Sequence, residues 1–242
     1  MDADTAKLFP SEFEESELGE IPQGWRAGRL EELQAAEKNA ITAGPFGSKL
    51  GRSDYVDNGI PVIRGGNLGS GAGEWFVEND FVYVSPEKFE RDLASCVARR
   101  GDVLFTQRGT LGQIGMLPFD AEHDRYVVSQ SQMKMTCSTD VPPEFVVLLF
   151  KQADTIAYIK ANAVAAGVPH INLGFLRRFP VIVPPPPVLH AFGMMVRPLQ
   201  LRMRHNVREC WDLSSLRDAL LPQLLSGDLP VPAAERVPEA QA

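Results

Sequence analysis

Five short segments carry side chains of the kind that hydrogen-bond bases and phosphates: "GPFGSKLGRSDY" (44–55), "IRGGN" (63–67), "TQRGTLG" (106–112), "SQSQ" (129–132) and "GVPHIN" (167–172). Arginine and lysine serve phosphate oxygens or guanine, asparagine and glutamine can pair with adenine through two bonds, and glycine lets main chain approach a ligand closely. On that chemistry Arg64, Asn67, Gln107, Arg108, Gln130 and Gln132 are candidates for base or groove contacts. Lys49, Arg52 and Thr110 are candidates for phosphate, with His170 and Asn172 next. One such segment is most simply an ordinary polar turn; five together argue for a binding surface. The competing roles are specific: Arg64 and Arg108 could pair with aspartates of the fold, and Asn172 could cap the turn after Pro169.

Elements that would hold these loops follow from the pattern between them. From 55 to 136 the apolar residues form short β-branched and aromatic runs separated by Gly, Asn and Asp, which predicts several strands. "RLEELQAAEK" (29–38) predicts a short helix, "PPEFVVLLFKQADTIAYIKANA" (142–163) a longer one, and "RRFPVIVPPPP" (177–187) a last strand with a stiff proline exit. Residues 1–24 mix acids with Pro10, Gly19, Pro22 and Gly24 and predict an extended lead-in, pinned by Trp25 and Leu30. The expected class is α+β: a domain with a twisted, mostly antiparallel sheet and flanking helices, followed by a long C-terminal coiled-coil helix.

That helix is predicted over about 189–225 by apolar residues at alternating three- and four-residue spacing. Positions 196, 199, 203, 206, 210, 213, 217, 220 and 224 include Leu199, Met203, Cys210, Leu213, Leu220 and Leu224, with Asn206 as the polar position that sets register. Pro198 interrupts the pattern, and Gly227 stands where a helix stops. At 1.5 Å per residue the helix runs roughly 45 to 55 Å. So long and one-sided a helix needs a partner, and the rest of the sequence holds none of that length.

The net charge of −7 over 242 residues looks wrong for a nucleic-acid binder until it is divided by region. Residues 1–37 hold ten acids against three bases and 226–242 hold three against one, so residues 38–225, with 18 acids and 20 bases, carry +2. The body is mildly basic and the ends are acidic, so overall charge does not exclude DNA. No apolar run nears the roughly 20 residues of a membrane span, the acidic "MDADTAKLFP" is unlike a signal peptide, and three scattered cysteines suit a reducing compartment. A cytoplasmic protein is the expectation.

Catalytic signatures are missing. There is no phosphate-binding G-x-x-x-x-G-K-[ST], no G-x-G-x-x-G before a helix, and no metal spacing among His123, His170, His190 and His205. None of the seven lysines has an acid two positions before it, which removes the acid-x-lysine pair of a common metal-dependent nuclease core. A non-catalytic chain with no metal and no cofactor of its own is expected.

The stretches "LFPSEFEESELGEIPQGW", "GPFGSKL", "GIPVIRGGN", "GDVLFTQRGTLGQIG", "SQSQM", "PPEFVVLLF", "VIVPPPP" and "LRDALLPQLLSGDL" run in order from about residue 7 to 231. Together they resemble one half of a specificity subunit of type I restriction-modification systems. In that family two target recognition domains, each followed by a long helix, read a split DNA sequence, and the helices pack antiparallel as the ruler between them. The resemblance implies a recognition domain over 25–187, a dimerisation and spacer helix over 188–227 and a flexible tail over 228–242, after the 1–24 lead-in. It implies double-stranded DNA as ligand, and pairing with a second copy or a different half. Methyltransferase subunits that use S-adenosylmethionine and a restriction translocase that uses ATP and Mg are the implied partners. A Glu-Gln pair that the family often has after the proline-rich strand is replaced here by "VLHAF" (188–192). A natural half-subunit and a fragment both fit. The rival class is a coiled-coil assembly scaffold that does not bind DNA. The acidic "EFEESELGE" (12–20) is expected away from phosphates, either as a docking strap for a methyltransferase subunit or the partner half, or as a solvated linker.

Overall fold

The strand Val103–Thr106 shows how the body is layered. Val103 and Phe105 pack into one apolar cluster with Met133, Met135 and Phe150, whereas Leu104 enters another with Ile63, Tyr126 and Val128. All four of its residues are buried, as a strand covered on both faces requires. Tyr126 and Val128 share that second cluster, while Val127 turns the other way, into a third with Val62, Val84, Phe89 and Leu93. Period-two alternation in two sheets therefore produces three stacked cores.

The structure, a computed structural model, describes residues 3–69, 74–164 and 167–229. The chain divides into two compact units, Met1–Leu199 and Gln200–Ala242. In the first, β1 (Phe13–Ser16) and β2 (Gly19–Pro22) form a hairpin, and β3 (Arg26–Arg29) pairs with the last strand, β13 (Pro180–Val183). β4 (Ile41–Ala43), β9 (Val103–Thr106), β10 (Ile114–Met116) and β12 (Gln132–Met135) make an antiparallel sheet in the order β10-β9-β12-β4. β5 (Tyr55–Val56), β6 (Ile60–Ile63), β7 (Val82–Val84), β8 (Val97–Ala98) and β11 (Tyr126–Val128) make a second, in the order β5-β7-β6-β11-β8. Within it only β6 and β11 run parallel. The α+β class is borne out, with the single expected sheet resolved into two larger sheets that face each other across the second core and two separate strand pairs.

The helices are α1 (Ala3–Ala6), α2 (Pro86–Lys88, continuing through a wide turn at Phe89–Leu93), α3 (Pro143–Phe150), α4 (Ala153–Ala161), α5 (Leu173–Arg177) and α6 (Pro186–Ser226). The single helix expected over 142–163 is two. After buried Phe150 the chain turns extended at Gln152 (φ −67°, ψ 141°), which returns Thr155 and Ile159 to the core. The helix expected over 29–38 is one turn, Leu30–Leu33, because the main chain of 34–35 pairs with that of 136–137 instead. The lead-in is the β1–β2 hairpin, closed by Glu14, whose carboxylate accepts from the Gly24 N–H at 3.1 Å. Leu30 is fully buried, and Trp25 lies against Phe9.

Two ion pairs of this body involve a buried carboxylate. Lys134 Nζ sits 3.3 Å from Asp102 Oδ2, and the Thr136 hydroxyl accepts from Lys134 and donates to Asp102. Both charges are nearly inaccessible, and the Arg99 N–H supplies a further donor to Asp102. Fully buried Glu144 on α3 accepts from half-exposed Arg197 on α6 at 2.8 Å, and the Arg197 guanidinium also covers the Phe119 ring at 4.8 Å.

α6 begins at Pro186, so its first turn holds two prolines where no N–H donor is needed, and it continues through Pro198. Gly227, at φ +80°, follows its last residue, as the sequence led us to expect. Of the tail expected over 228–242, the part from 230 lies outside the described residues.

Candidate nucleic-acid interface

The turn at 129–131 carries the chain from β11 in one sheet to β12 in the other, and the sheet geometry makes it a hub. β6 and β11 are parallel, so residues 64 and 129 leave the second sheet at the same end. β4 and β9 both run antiparallel to β12, with Ala43 opposite Met133 and Thr106 opposite Gln132, so their outgoing loops leave at the end where β12 begins. Four of the five segments therefore share one end of the double sheet by topology alone.

Hydrogen bonds lace them together. Ser129 N–H donates to Ile63 O at 3.0 Å and Gly44 N–H to Gln132 O at 3.0 Å. Ser131 O accepts from both Gln107 N–H (2.8 Å) and Arg108 N–H (3.3 Å). The fifth segment joins through Ile171 N–H to Gln107 O at 3.0 Å and a bridge between Arg108 and His170. Gly44 is required for this packing: a Cβ there would stand 1.9 Å from Ser129 O.

The candidate side chains divide into those that hold the loops and those that face outward. Gln132 is fully buried, its Oε1 accepting from the Thr106 hydroxyl at 3.3 Å, so as the first residue of β12 it faces the inter-sheet core and not a ligand. Asn67 is buried too: its Oδ1 accepts from Arg64 N–H, and its Nδ2 donates to Val77 O and Asn79 O. Gln130 is exposed but engaged, its Nε2 donating to Gly47 O (2.6 Å) and Leu50 O (3.2 Å). Asn172 caps α5, its Oδ1 accepting from Phe175 N–H at 2.8 Å. The half-buried His170 sits in main-chain bridges to Arg108 and Val164, with Nδ1 3.3 Å from Val168 O.

Lys49, Arg52, Arg64, Arg108 and Thr110 are exposed, and Gln107 is half-buried with an enclosed Oε1 that lacks a hydrogen-bond partner. Among the described residues no carboxylate lies within ion-pair distance of Lys49, Arg52, Arg64 or Arg108. Arg64 donates instead to the main-chain oxygen of Asp80 at 2.6 Å. The carboxylate of the 44–55 loop, Asp54, is turned back: it accepts from Gly51 N–H at 2.8 Å and pairs with Lys88 at 3.1 Å. Those two contacts, the Gly51 amide first, hold its carboxyl below the usual range, so it stays ionised within a network in which Lys88 and Arg91 balance Asp54 and Asp92. Lys49 and Arg52 are left to set the sign of the loop.

Two residues of this surface were missed by the sequence reading. Gln113 donates from Nε2 to Gly65 O (3.1 Å) and Leu68 O (2.8 Å), tying the 64–68 turn to the other sheet. Phe46, between Pro45 and Gly47, is 72% exposed. Its position in a tight turn was the available signal. Among the described residues no cluster of His, Cys, Asp and Glu is suited to hold a metal, and no helix is long and apolar enough to cross a membrane.

Along α6, Leu199, Met203, Leu213 and Leu224 are 63%, 40%, 59% and 39% exposed, Asn206 and Cys210 are exposed, and Leu220 is partly covered. Trp211, Leu216, Leu221 and Leu225 widen the open apolar surface beyond the expected seam.

No family model matches the sequence. A curated relative, the type I restriction enzyme MjaIX specificity subunit of Methanocaldococcus jannaschii, is 23% identical over 223 residues, covering 88% of this chain and 46% of the relative. Among solved structures, the HsdS subunit from Thermoanaerobacter tengcongensis gives a TM-score of 0.52 at 20% identity, over 93% of this chain and 49% of that one. The type I restriction-modification S subunit from M. genitalium gives 0.53 at 15% identity, over 88% and 47%. A chain from a study of complex assembly and conformational transition of the type I R-M system gives 0.52 at 19%, over 93% and 50%. The resemblance drawn from the motifs is borne out, and the structures share the fold. The chain spans about half the length of the relatives it matches.

Proposed function

We propose that this chain supplies one DNA-recognition domain and one spacer helix to a type I restriction-modification specificity assembly. The observation that carries the reading is the convergence of five polar loops at one end of two packed sheets, with four exposed basic side chains unpaired by acids. Arg64, Arg108 and Gln107 read bases there, and Lys49, Arg52 and Thr110 hold phosphate. Gln130, Gln132, Asn67, His170 and Asn172 act from behind as supports.

The chain performs no chemistry in this reading. A methyltransferase subunit with S-adenosylmethionine modifies adenine, and a translocase with ATP and Mg restricts, both inside the cell. α6 pairs antiparallel with the same helix of a second copy or of a different half, through Leu199, Met203, Asn206, Cys210, Leu213, Leu220 and Leu224. A self-paired assembly has two-fold symmetry and reads a palindromic split site; a mixed pair reads an asymmetric one. The acidic β1–β2 hairpin docks on a methyltransferase subunit, away from phosphate. Reversing Glu15 and Glu17 to lysine then weakens assembly and leaves the DNA motif unchanged, whereas unaltered assembly removes the docking role.

The deciding experiment maps adenine methylation by long-read sequencing in cells that express the cognate methyltransferase with or without this chain. A split motif that depends on the chain supports recognition. An active methyltransferase with no dependent motif leaves the scaffold reading.

A further inference from the structure

We infer that Phe46 is a wedge that packs its ring against a base-pair step of the bound duplex. The inference rests on the DNA reading above and goes beyond it, because it assigns part of the recognition to an apolar side chain and to DNA deformability.

The loop that carries Phe46 is pinned on both sides. Before it, Gly44 is held to Gln132 O and packed against Ser129, and buried Pro45 fixes its own backbone angle. After it, Gln130 binds Gly47 O and Leu50 O together, and Gly47 takes φ +65°, which favours glycine. An exposed apolar side chain alone means little. A large ring held out on a braced loop, between supports that serve the proposed interface, is a different case.

Comparison with the other exposed rings of the body separates Phe46 from them. Phe9 lies against Trp25, Phe119 lies under the Arg197 guanidinium, and Tyr158 lies against Phe175 and Phe179. Among the large exposed apolar rings described in the body only Phe13 shares with Phe46 the lack of any ring or cation over it, and Phe13 stands on the hairpin beside Glu12, Glu14 and Glu15, where phosphate is repelled. Phe46 has Lys49 and Arg52 on its own loop, exposed and without carboxylate partners. An aromatic ring beside two phosphate-seeking cations matches the way apolar wedges enter between stacked base pairs, at steps that unstack easily.

The test uses the chain assembled with its methyltransferase, on a duplex bearing the motif found by methylation mapping and on a scrambled duplex. Phe46→Ala is expected to assemble normally and keep its affinity for the scrambled duplex. It should lose about tenfold or more for the motif with no change in salt dependence, since no phosphate contact is removed. Phe46→Trp should stay within about threefold of the unaltered chain. A 2-aminopurine placed outside the methylated position, next to a pyrimidine–purine step, should brighten on binding the unaltered chain and not the alanine variant. An alanine variant equal to the unaltered chain on the motif overturns the wedge alone. Failure of that variant to assemble also overturns it and makes Phe46 a protein anchor. An unaltered chain that does not distinguish the two duplexes removes the DNA reading and the wedge together.

Discussion

The body up to Leu199 and the helical unit from Gln200 treat apolar side chains in opposite ways. In the body Val62, Leu104, Tyr126 and Met133 are wholly enclosed, and even a lysine and an aspartate are buried as a pair. In the helical unit Trp211, Leu213, Leu216 and Leu225 are all more than half exposed. The difference teaches that the first unit encloses its apolar side chains itself, while the second leaves an apolar surface open, the surface that the proposed pairing of helices covers. Within the body the same contrast recurs on a smaller scale, between amides that brace loops and cations that face outward.

The largest effect that would break this comparison comes from the helix. Replacing Leu213, Leu220 and Leu224 together by Asp should weaken association by two orders of magnitude or more, since burial of each leucine is worth about 1.5 to 3 kcal/mol. Sedimentation measures it, and the unfolding midpoint of the body should not move. Next is the buried pair. Asp102→Ala strands the Lys134 ammonium and should cost about 3 to 5 kcal/mol in urea unfolding, whereas changing both residues to apolar ones of similar size should cost far less. A similar loss in both would mean that the pair itself, and not the stranded charge, holds the core.

Smaller effects sharpen the division among the loops. Arg108→Ala should cost about 1 to 3 kcal/mol at one base pair of the site, seen as relaxed specificity there; an equal loss on every sequence reassigns it to phosphate. Gln130→Ala removes two bonds worth about 1 kcal/mol each and should appear as faster amide exchange over 46–51, with weaker but unaltered sequence preference. Thiol labelling changes no stability at all. Cys210, exposed in the single chain, should react with maleimide at neutral pH and be protected once α6 is paired. Burial, ahead of the nearby Asp102 and Glu144, pushes the Cys137 thiol up to about 12, so almost no thiolate exists at neutral pH and Cys137 should react only after unfolding. Burial also raises the pKa of Cys96, which should behave likewise.

Local signals made much of this legible. The spacing of Leu199, Met203, Leu213 and Leu224, closed by Gly227, predicted the long helix, and the turn chemistry of 44–52, 64–67 and 129–132 marked the loops that converge. What failed was long-range or directional. Gln130 and Gln132 stand two apart in a polar turn, yet one faces solvent and the other the core, because Gln132 already belongs to β12. The Gln113 brace spans 48 residues to Gly65, so no local window contains it. Residues 34–35 left the expected helix because strand-like partners at 136–137 outweighed local propensity. Lys134 occupies a position that reads as exposed until Asp102 is placed beside it.

The braces have a property that bears on how such a surface changes over generations. Asn67, Gln113 and Gln130 grip main-chain oxygens of Gly47, Leu50, Gly65, Leu68, Val77 and Asn79, not their side chains. A carbonyl is present whatever residue carries it. Substitutions at the outward positions between the braces therefore leave the supports intact, and the vocabulary of the surface can be rewritten one residue at a time without refitting the frame that presents it.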